Sequence, residues 1–325
     1  MTEITGTASL SAYTTPNPHL SVVVTVGVLR RRALRCIDAI LAQQDAPPMQ
    51  VIVADVDPAQ GPIERPGIVY LPLPACDSIN RAKAAGARLA AAPVIAFLED
   101  HCVPEPGWAA AIHQAFLDNP GIAAAAYSFG NLNPVNWVSR SFLLLAYGPW
   151  MEPAESGPVP TPSWMNVAYS REVLENAPDL VDWMGCEGLF LHRLASQGAR
   201  FWHAAGARVL HLNHPSLLGS ARDSACWQRV FAATRSRVEQ WGWFRRLFYF
   251  FAAVPLSPPV ITYRLARRMW ARPGFRGQLL SALPLIYFVF TWGAFSEALG
   301  YVAGIGGAGR NTLYIETGDP RGEPS

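Results

Sequence analysis

Three chemically active residues, Glu99, Asp100 and His101, directly follow the apolar run Val94–Leu98. The β-branched and aromatic residues of that run predict a fully buried strand, and Pro104 prevents its continuation. In open α/β sheets, ligands bind at the carboxyl ends of the strands, where these residues lie. Carboxylate and imidazole groups suit a divalent metal ion, which would in turn hold a diphosphate. The alternative is a strand end whose charges are simply solvated.

Strands and helices alternate ahead of this strand end. Apolar segments at Leu20–Val26, Gln50–Ala54 and Ile68–Leu71 predict three further strands. Apolar residues at helical spacing follow the first strand and predict a helix there. A second predicted helix, which contains Asn80 and Arg81, precedes the Val94 strand. This alternation predicts an α/β fold with a mostly parallel sheet and helices on both faces.

Four segments, in the expected order, resemble motifs of family 2 glycosyltransferases, and the resemblance extends over residues 20–215. They are Gln50–Asp57, a strand ending in paired acids; Asn80–Gly86, a helix start; Trp164–Leu174, the acceptor-side segment; and Cys186–Leu194, which is similar to the family's Glu-Asp-x-x-Leu-x-x-Arg-Leu helix. The strand end at Glu99 is similar to the family's Phe-Leu-Asp-x-Asp-Asp motif. The resemblance implies a GT-A (Rossmann-like) fold and a nucleotide-sugar donor.

The resemblance also implies roles for residues on the donor side. Asp55 and Asp57 would contact the nucleobase and ribose, Arg81 would bind the donor, and Asp100 would contact the ribose or point elsewhere. The first strand departs from the family's usual Pro-x-Tyr-Asn at Gly27. The choice among UDP-, GDP- and dTDP-sugars therefore stays open.

Glu99 and His101 are the predicted metal ligands, and they lie two residues apart at a strand end. Histidine replaces the family's usual aspartate, which favours Mn²⁺ over Mg²⁺ but keeps the site able to bind either ion. The resemblance suggests that His211, rather than His214, faces the donor diphosphate or the metal. The alternative for each histidine is a structural, hydrogen-bonded role.

Glu187 is the predicted catalytic base. It opens an amphipathic helix and matches the family's catalytic aspartate, although Cys186 replaces the preceding acid. The function that we expect is removal of the proton from the acceptor hydroxyl. The alternative is a carboxylate that only stabilises the helix dipole.

Composition bounds the function further. The 325 residues carry a formal net charge of +2, which does not predict a nucleic-acid partner. The five cysteines include no Cys-x-x-Cys pair, so reduced thiols are expected. We expect a flexible N-terminus over residues 1–18, a catalytic domain over 19–240, a hydrophobic helical region over 241–306 and a tail over 307–325.

The apolar runs Leu247–Tyr263 and Leu279–Ile305 flank five arginines, Arg264, Arg267, Arg268, Arg272 and Arg276. Apolar segments rich in Trp and Tyr around a basic linker predict a membrane-interface element. Pro255, Pro258 and Pro259 make the first run a poor straight spanning helix. Because two crossings would place the arginine-rich linker outside, we expect the first run to enter the cytoplasmic leaflet without crossing and the linker to stay cytoplasmic. The alternative is a helical cap packed on the catalytic domain.

Together these observations predict a metal-dependent, inverting glycosyltransferase at the cytoplasmic face of the cell membrane. It would move one sugar to a glycan or lipid-linked acceptor, since the Gln-x-x-Arg-Trp signature of processive synthases is absent from the sequence. Two alternatives stay open: a transferase that charges polyprenyl phosphate, and a non-catalytic GT-A-like membrane scaffold.

Overall fold

The computed structural model describes residues 15–322, so the predicted flexible segment lies mostly outside the described residues. The strands are β1 (Leu20–Val26), β2 (Met49–Asp55), β3 (Ile68–Pro72), β4 (Val94–Glu99), β5 (Cys102–Pro104), β6 (Ile122–Asn131), β7 (Gly157–Val159), β8 (Val167–Ser170) and β9 (Arg200–His211). The helices are α1 (Arg30–Leu41), α2 (Ile79–Leu89), α3 (Trp108–Asp118), α4 (Trp137–Tyr147), α5 (Arg171–Glu175), α6 (Leu180–Met184), α7 (Glu187–Ser196), α8 (Leu217–Val238), α9 (Trp243–Trp270), α10 (Arg276–Ala303) and α11 (Ala308–Thr317).

The strands form one mixed sheet in the order β3-β2-β1-β4-β8-β6-β9-β5, and β7 pairs with β9. Strands β3, β2, β1 and β4 are parallel, and every residue of β1 is buried because helices cover both faces. The register pairs Val26 with Asp55 and Thr25 with Glu99, so these strands end at the same sheet edge. The predicted α/β fold, with its parallel donor-side strands, is confirmed.

The other half of the sheet supplies a strand end that comes from far along the chain. Strand β5 pairs antiparallel with β9, in a register that places Cys102 opposite His211. Strand β9 therefore ends beside the residues that follow β4. This long-range pairing brings two histidines to one sheet edge.

Helix α2 packs closely on β1, and its start is defined by the Ser78 side chain, which accepts a hydrogen bond from the Arg81 amide. Gly86 permits this close packing, since a Cβ there would lie 2.4 Å from a Val23 methyl carbon. Lys83 lies on the same helix and is buried. Helix α2 therefore holds Lys83 beneath the carboxyl ends of the parallel strands.

Helix α9 is continuous from Trp243 to Trp270 and includes Pro255, Pro258 and Pro259. The three prolines, which predicted a poor straight spanning helix, therefore do not end this helix. A proline removes one backbone donor and strains the preceding turn. Here the helix is also stabilised along its length by α10, against which it packs.

Helix α10 packs on both α8 and α4. Its residues Leu279, Ala282 and Ile286 belong to the same hydrophobic core as Leu143 and Tyr147. Within residues 15–322, the segment Pro273–Ala303 is the one helix whose length and apolar composition would allow it to cross a membrane. A core helix of a soluble protein can have the same length and apolar composition, so these two properties alone do not indicate a span.

Candidate active site

Glu99, the last residue of β4, is held by hydrogen bonds to its side chain and to its backbone. The Glu99 Oε2 atom accepts hydrogen bonds from the Asn166 side-chain amide and from the Tyr147 hydroxyl, the latter at 3.2 Å. The Glu99 backbone amide donates to the Asn166 side-chain oxygen at 2.8 Å. These contacts fix the Glu99 carboxylate at the sheet edge.

Two imidazoles face each other beside this carboxylate. The Nε2 atoms of His101 and His211 lie 3.2 Å apart, and they lie 3.4 Å and 3.6 Å from Glu99 Oε2, respectively. Burial lowers the pKa of His101 well below its usual value and lowers the pKa of His211 to about 3. Both rings are therefore neutral, which is the form that ligates a metal.

A hydrogen bond defines which nitrogen of His211 is free. Its Nδ1 lies 2.9 Å from the side-chain oxygen of Asn213. The side-chain nitrogen of Asn213 donates to the Asn131 side-chain oxygen and to the His211 carbonyl, which fixes the orientation of the Asn213 amide. Since the Asn213 oxygen can only accept, we assign the His211 proton to Nδ1. The Nε2 lone pair then points toward His101 and Glu99, as in a metal-binding histidine oriented by its second nitrogen.

Glu99, His101, Cys102 and His211 place one potential ligand atom each within 4.8 Å of one another. His101 Nδ1 faces the Asp100 carboxylate at 3.5 Å, which leaves Nε2 on the side of Glu99 and His211. A carboxylate with two neutral imidazoles fits a first-row divalent ion such as Mn²⁺ or Zn²⁺. The residues present therefore fit the predicted metal, and its identity stays a prediction.

Glu187 is the first residue of α7, and its carboxylate is buried. Lys83 Nζ lies 2.6 Å from Glu187 Oε2, and the Met165 backbone amide donates to the same oxygen at 3.0 Å. The Tyr169 hydroxyl donates to Oε1 at 3.3 Å. The carboxylate thus has specific partners in the protein beyond the helix terminus.

A cavity of about 430 Å³ is shared by the predicted metal ligands and the predicted base. Its lining includes Glu99 at the end of β4, His211 at the end of β9 and Glu187 at the start of α7. Tyr147, Trp150, Trp164 and Trp227 supply aromatic surface. A cavity of this size, apolar but with a few convergent polar groups, is typical of a small-molecule site.

The structure does not bring the remaining predicted residues to this cavity. Asp55 is buried between the Tyr70 hydroxyl at 2.6 Å and the Arg30 guanidinium at 2.8 Å. Asp57 follows β2, and its backbone amide donates to Asp55. Exposed Arg81 pairs with Asp77 at 3.3 Å. The donor-binding roles of Asp55, Asp57 and Arg81 stay predictions.

Asp100 is fully buried and lies 2.6 Å from the Arg32 guanidinium. Burial raises the pKa of Asp100 to about 7, although Arg32 opposes that change. With Arg32 in place, the carboxylate faces the protein interior. A contact between Asp100 and the ribose stays a prediction.

Several residues at the site were not predicted from the sequence. Lys83 carried one signal, since it is the only lysine in the chain. Glu316 and Arg321 lie in the predicted tail, yet both are buried and line the same cavity. Asn166, which holds Glu99, lies in the segment that resembles the acceptor side of the family. Nothing in the local sequence around Glu316 indicates this position.

The comparisons with known proteins bear on this site. The sequence profile of the family described as glycosyl transferase family 2 matches residues 21–177. No curated protein sequence matches the chain. Among solved structures, the mannosyltransferase PcManGT from Pyrobaculum calidifontis, in complex with GDP-Man and Mn²⁺, is 15% identical with a TM-score of 0.48, over 94% of this chain and 90% of that chain. A mycobacterial protein is 17% identical with a TM-score of 0.43, over 69% of this chain and 75% of that chain.

Proposed function

We propose, from the premise that this chain belongs to glycosyl transferase family 2 and is a glycosyltransferase, that it moves one sugar from a nucleotide-sugar donor to an acceptor hydroxyl. One observation carries the proposal. A single cavity is lined by the predicted metal ligands Glu99 and His211 and by the predicted base Glu187. Glycosyl transfer needs a stabilised leaving diphosphate and a deprotonated acceptor hydroxyl, and these residues match the two requirements.

Glu187 acts as the general base in this proposal. Its Oε2 atom is held by Lys83 and by the Met165 amide, whereas Oε1 has one long contact from Tyr169. The less occupied oxygen, Oε1, takes the proton of the acceptor hydroxyl. With one base and direct attack on the anomeric carbon, opposite the diphosphate, the anomeric configuration inverts.

Glu99, His101 and His211 would hold the divalent ion, either Mn²⁺ or Mg²⁺. When bound, such an ion neutralises the charge that develops on the leaving diphosphate. Neutral His101 and His211 favour Mn²⁺ over Mg²⁺, because imidazole is a softer ligand than oxygen. Asn166 and Tyr147 orient the Glu99 carboxylate for this role.

The acceptor is proposed to lie at a membrane surface, because α9 and α10 expose two apolar stripes. They comprise Phe244, Phe248, Phe251, Leu256, Val260 and Tyr263 on α9, and Leu280, Tyr287, Phe288, Trp292, Phe295 and Leu299 on α10. We call these residues the apolar face. Exposed Arg264, Arg267, Arg268 and Arg276 border it at one end. Aromatic residues beside arginines favour binding in the plane of an anionic membrane.

An interfacial position agrees with the packing of α10 into the protein core, which a membrane span would have to disrupt. We propose that the face lies on the cytoplasmic leaflet. A Gly274→Cys variant tests this side, since Gly274 is exposed and has open space around its Cβ position. Labelling of that cysteine by an impermeant reagent in intact cells would contradict the proposed location.

The same face favours one second candidate, transfer to polyprenyl phosphate. A phosphate acceptor is already ionised at neutral pH, so it needs no general base. Activity measured with UDP-, GDP- and dTDP-sugars, with and without Mn²⁺, tests the proposed function. We expect sugar release or transfer from one donor class, dependent on the ion. Absence of activity with every donor in the presence of Mn²⁺ would contradict the proposal.

A further inference from the structure

The C-terminal segment Ala308–Arg321 closes one side of the predicted metal site. The buried Arg32 guanidinium donates to the backbone carbonyls of Glu316 at 2.6 Å and Asp319 at 2.7 Å, and it also pairs with Asp100. Arg321, also buried, donates to the Leu212 carbonyl at 3.0 Å. Two buried arginines thus attach this segment to the ends of β4 and β9.

The attachment directs one carboxylate at the imidazoles. Glu316 Oε2 lies 3.8 Å from His101 Nε2 and 3.3 Å from the Arg321 guanidinium. The Trp227 indole donates to Glu316 Oε1 at 3.0 Å. The carboxylate is therefore oriented, with Oε2 on the side of the predicted metal.

We propose that Glu316 is a further ligand of the divalent ion, together with Glu99, His101 and His211. The inference rests on the divalent ion of the proposed function. Ligand atoms about 2.0–2.2 Å from one ion lie roughly 3.0–3.6 Å from each other. The three distances among Glu99, His101 and His211 fall in this range, and the Glu316 distance lies just beyond it.

Glu316 is a better fourth ligand than Cys102. The Cys102 thiol already has a partner in the protein, since it donates to the Asn166 side-chain oxygen at 3.6 Å. Glu316 and Glu99 instead place their Oε2 atoms 3.8 Å and 3.4 Å from His101 Nε2, respectively. A divalent cation bound there would have two carboxylate ligands, whose charge would balance its own.

A ligand from α11 couples ion binding to the position of the C-terminal segment. Thr317 packs on the tip of β1, where a Cβ at Gly27 would lie 2.6 Å from the Thr317 Cβ atom. The ion would therefore hold residues 308–321 against both β1 and β4. We expect slower backbone hydrogen exchange of this segment when Mn²⁺ is bound.

The test compares Mn²⁺ binding by the full chain and by a Glu316→Gln variant, measured as free Mn²⁺ by electron paramagnetic resonance. The affinity should fall about tenfold or more, because even residues that only orient a ligand change affinity by roughly 10–100-fold. Glu297→Gln is the matched control, since Glu297 is also buried and accepts a hydrogen bond from an aromatic residue, Tyr301 at 2.8 Å. Circular dichroism checks that each variant is folded.

Hydrogen exchange of the unaltered protein, with and without Mn²⁺, gives a second measurement that does not depend on a variant. Wild-type affinity in Glu316→Gln, or unchanged exchange over residues 308–321, would overturn the assignment. If His101→Ala loses the ion while Glu316→Gln keeps it, the proposed metal site stands and only Glu316 is excluded. If the unaltered protein binds no Mn²⁺, both the metal site and its Glu316 ligand are wrong.

Discussion

Lys83 Nζ lies 2.6 Å from Glu187 Oε2, and both side chains are almost fully buried. The pair joins α2 to the start of α7, and it uses the only lysine of the chain. The Lys83 ammonium also lies 4.7 Å from the centre of the Phe97 ring, which is a cation–π contact. The predicted base is therefore held in place by an element that belongs to the donor side of the domain.

Lys83→Met should destabilise the protein by about 3–5 kcal/mol, because it leaves the Glu187 carboxylate buried without its cation. The double variant Lys83→Met with Glu187→Leu should recover most of this loss, since no unpaired charge remains. Urea unfolding measures both values. Arg171→Met is the control, because its pair with Glu175 is exposed and worth about 0.2–1 kcal/mol. A loss below about 1 kcal/mol in Lys83→Met would show that the buried pair is energetically unimportant.

Glu187→Gln should lower turnover by roughly 10²–10⁴-fold with a hydroxyl acceptor, because the amide cannot accept the proton. Donor binding should change little, since the group acts on the acceptor. The comparison is with Glu175→Gln, a surface glutamate on α5. The same variant distinguishes the two candidate acceptors, because turnover with polyprenyl phosphate should be maintained. Wild-type turnover with a hydroxyl acceptor would assign the base to another residue.

His101→Ala and His211→Ala should each weaken Mn²⁺ binding and remove the ion's effect on nucleotide binding while the protein stays folded. The reason is the loss of one imidazole ligand from the group that contains Glu99. Isothermal titration calorimetry measures both affinities. His192→Ala is a suitable control because His192 is exposed on α7. Unchanged Mn²⁺ affinity in both variants would exclude this site.

Replacement of Phe244, Phe248 and Phe251 by serine should weaken binding to vesicles that contain anionic lipid. These side chains are exposed, Phe244 by 88%, and together they provide much of the α9 stripe. Sedimentation with vesicles gives the bound fraction. The control replaces Leu117, Val135 and Leu218, which are exposed apolar residues outside the apolar face. Equal losses in the two triple variants would mean that binding does not depend on this face.

His203 should make unfolding depend on pH. Its Nε2 lies 3.0 Å from the Ser128 hydroxyl, and burial lowers the pKa of His203 to about 4. The unfolded chain binds the proton near pH 6.5, so the contribution of neutral His203 is complete above that pH and is lost as the pH falls toward 4. His203→Gln should reduce the slope of stability against pH in this window by up to about 1.4 kcal/mol per pH unit.

Denaturant unfolding at several pH values checks the His203 prediction. The range from pH 7.5 to 8.5 is the internal control, because residue 203 is neutral there in both states and the difference between the proteins should be constant. Parallel curves between pH 4 and 6.5 would contradict the assignment.

The donor-side elements could be predicted from the sequence because their determinants are local. A run such as Val94–Leu98 has enough apolar surface to be a buried strand wherever it pairs, and the acids after it must lie at its end. Helix α7 likewise begins at Glu187, as its apolar spacing indicates. These local patterns, together with the ordered motifs, also predicted the family whose profile matches residues 21–177.

The site itself depends on contacts between distant parts of the chain. His101 and His211 are 110 residues apart, and they meet because β5 pairs with β9 in one particular register. Lys83 meets Glu187 because α2 and α7 both contribute to the same hydrophobic cluster. Strand register and helix packing are set by the fit of the whole core, which no local pattern contains.

The C-terminal third shows most clearly the difference between what local sequence predicts and what long-range packing decides. Its composition predicted apolar helical segments, and the three prolines predicted a poor straight spanning helix. Only the structure shows that α9 continues through these prolines, where it packs against α10. The last residues were predicted as a tail on sequence grounds. Only the tertiary structure places Glu316 beside His101, because two buried arginines, Arg32 and Arg321, bind carbonyls far from them in the chain. Amino-acid types thus determined which elements form, and long-range packing decided which of their side chains make a site.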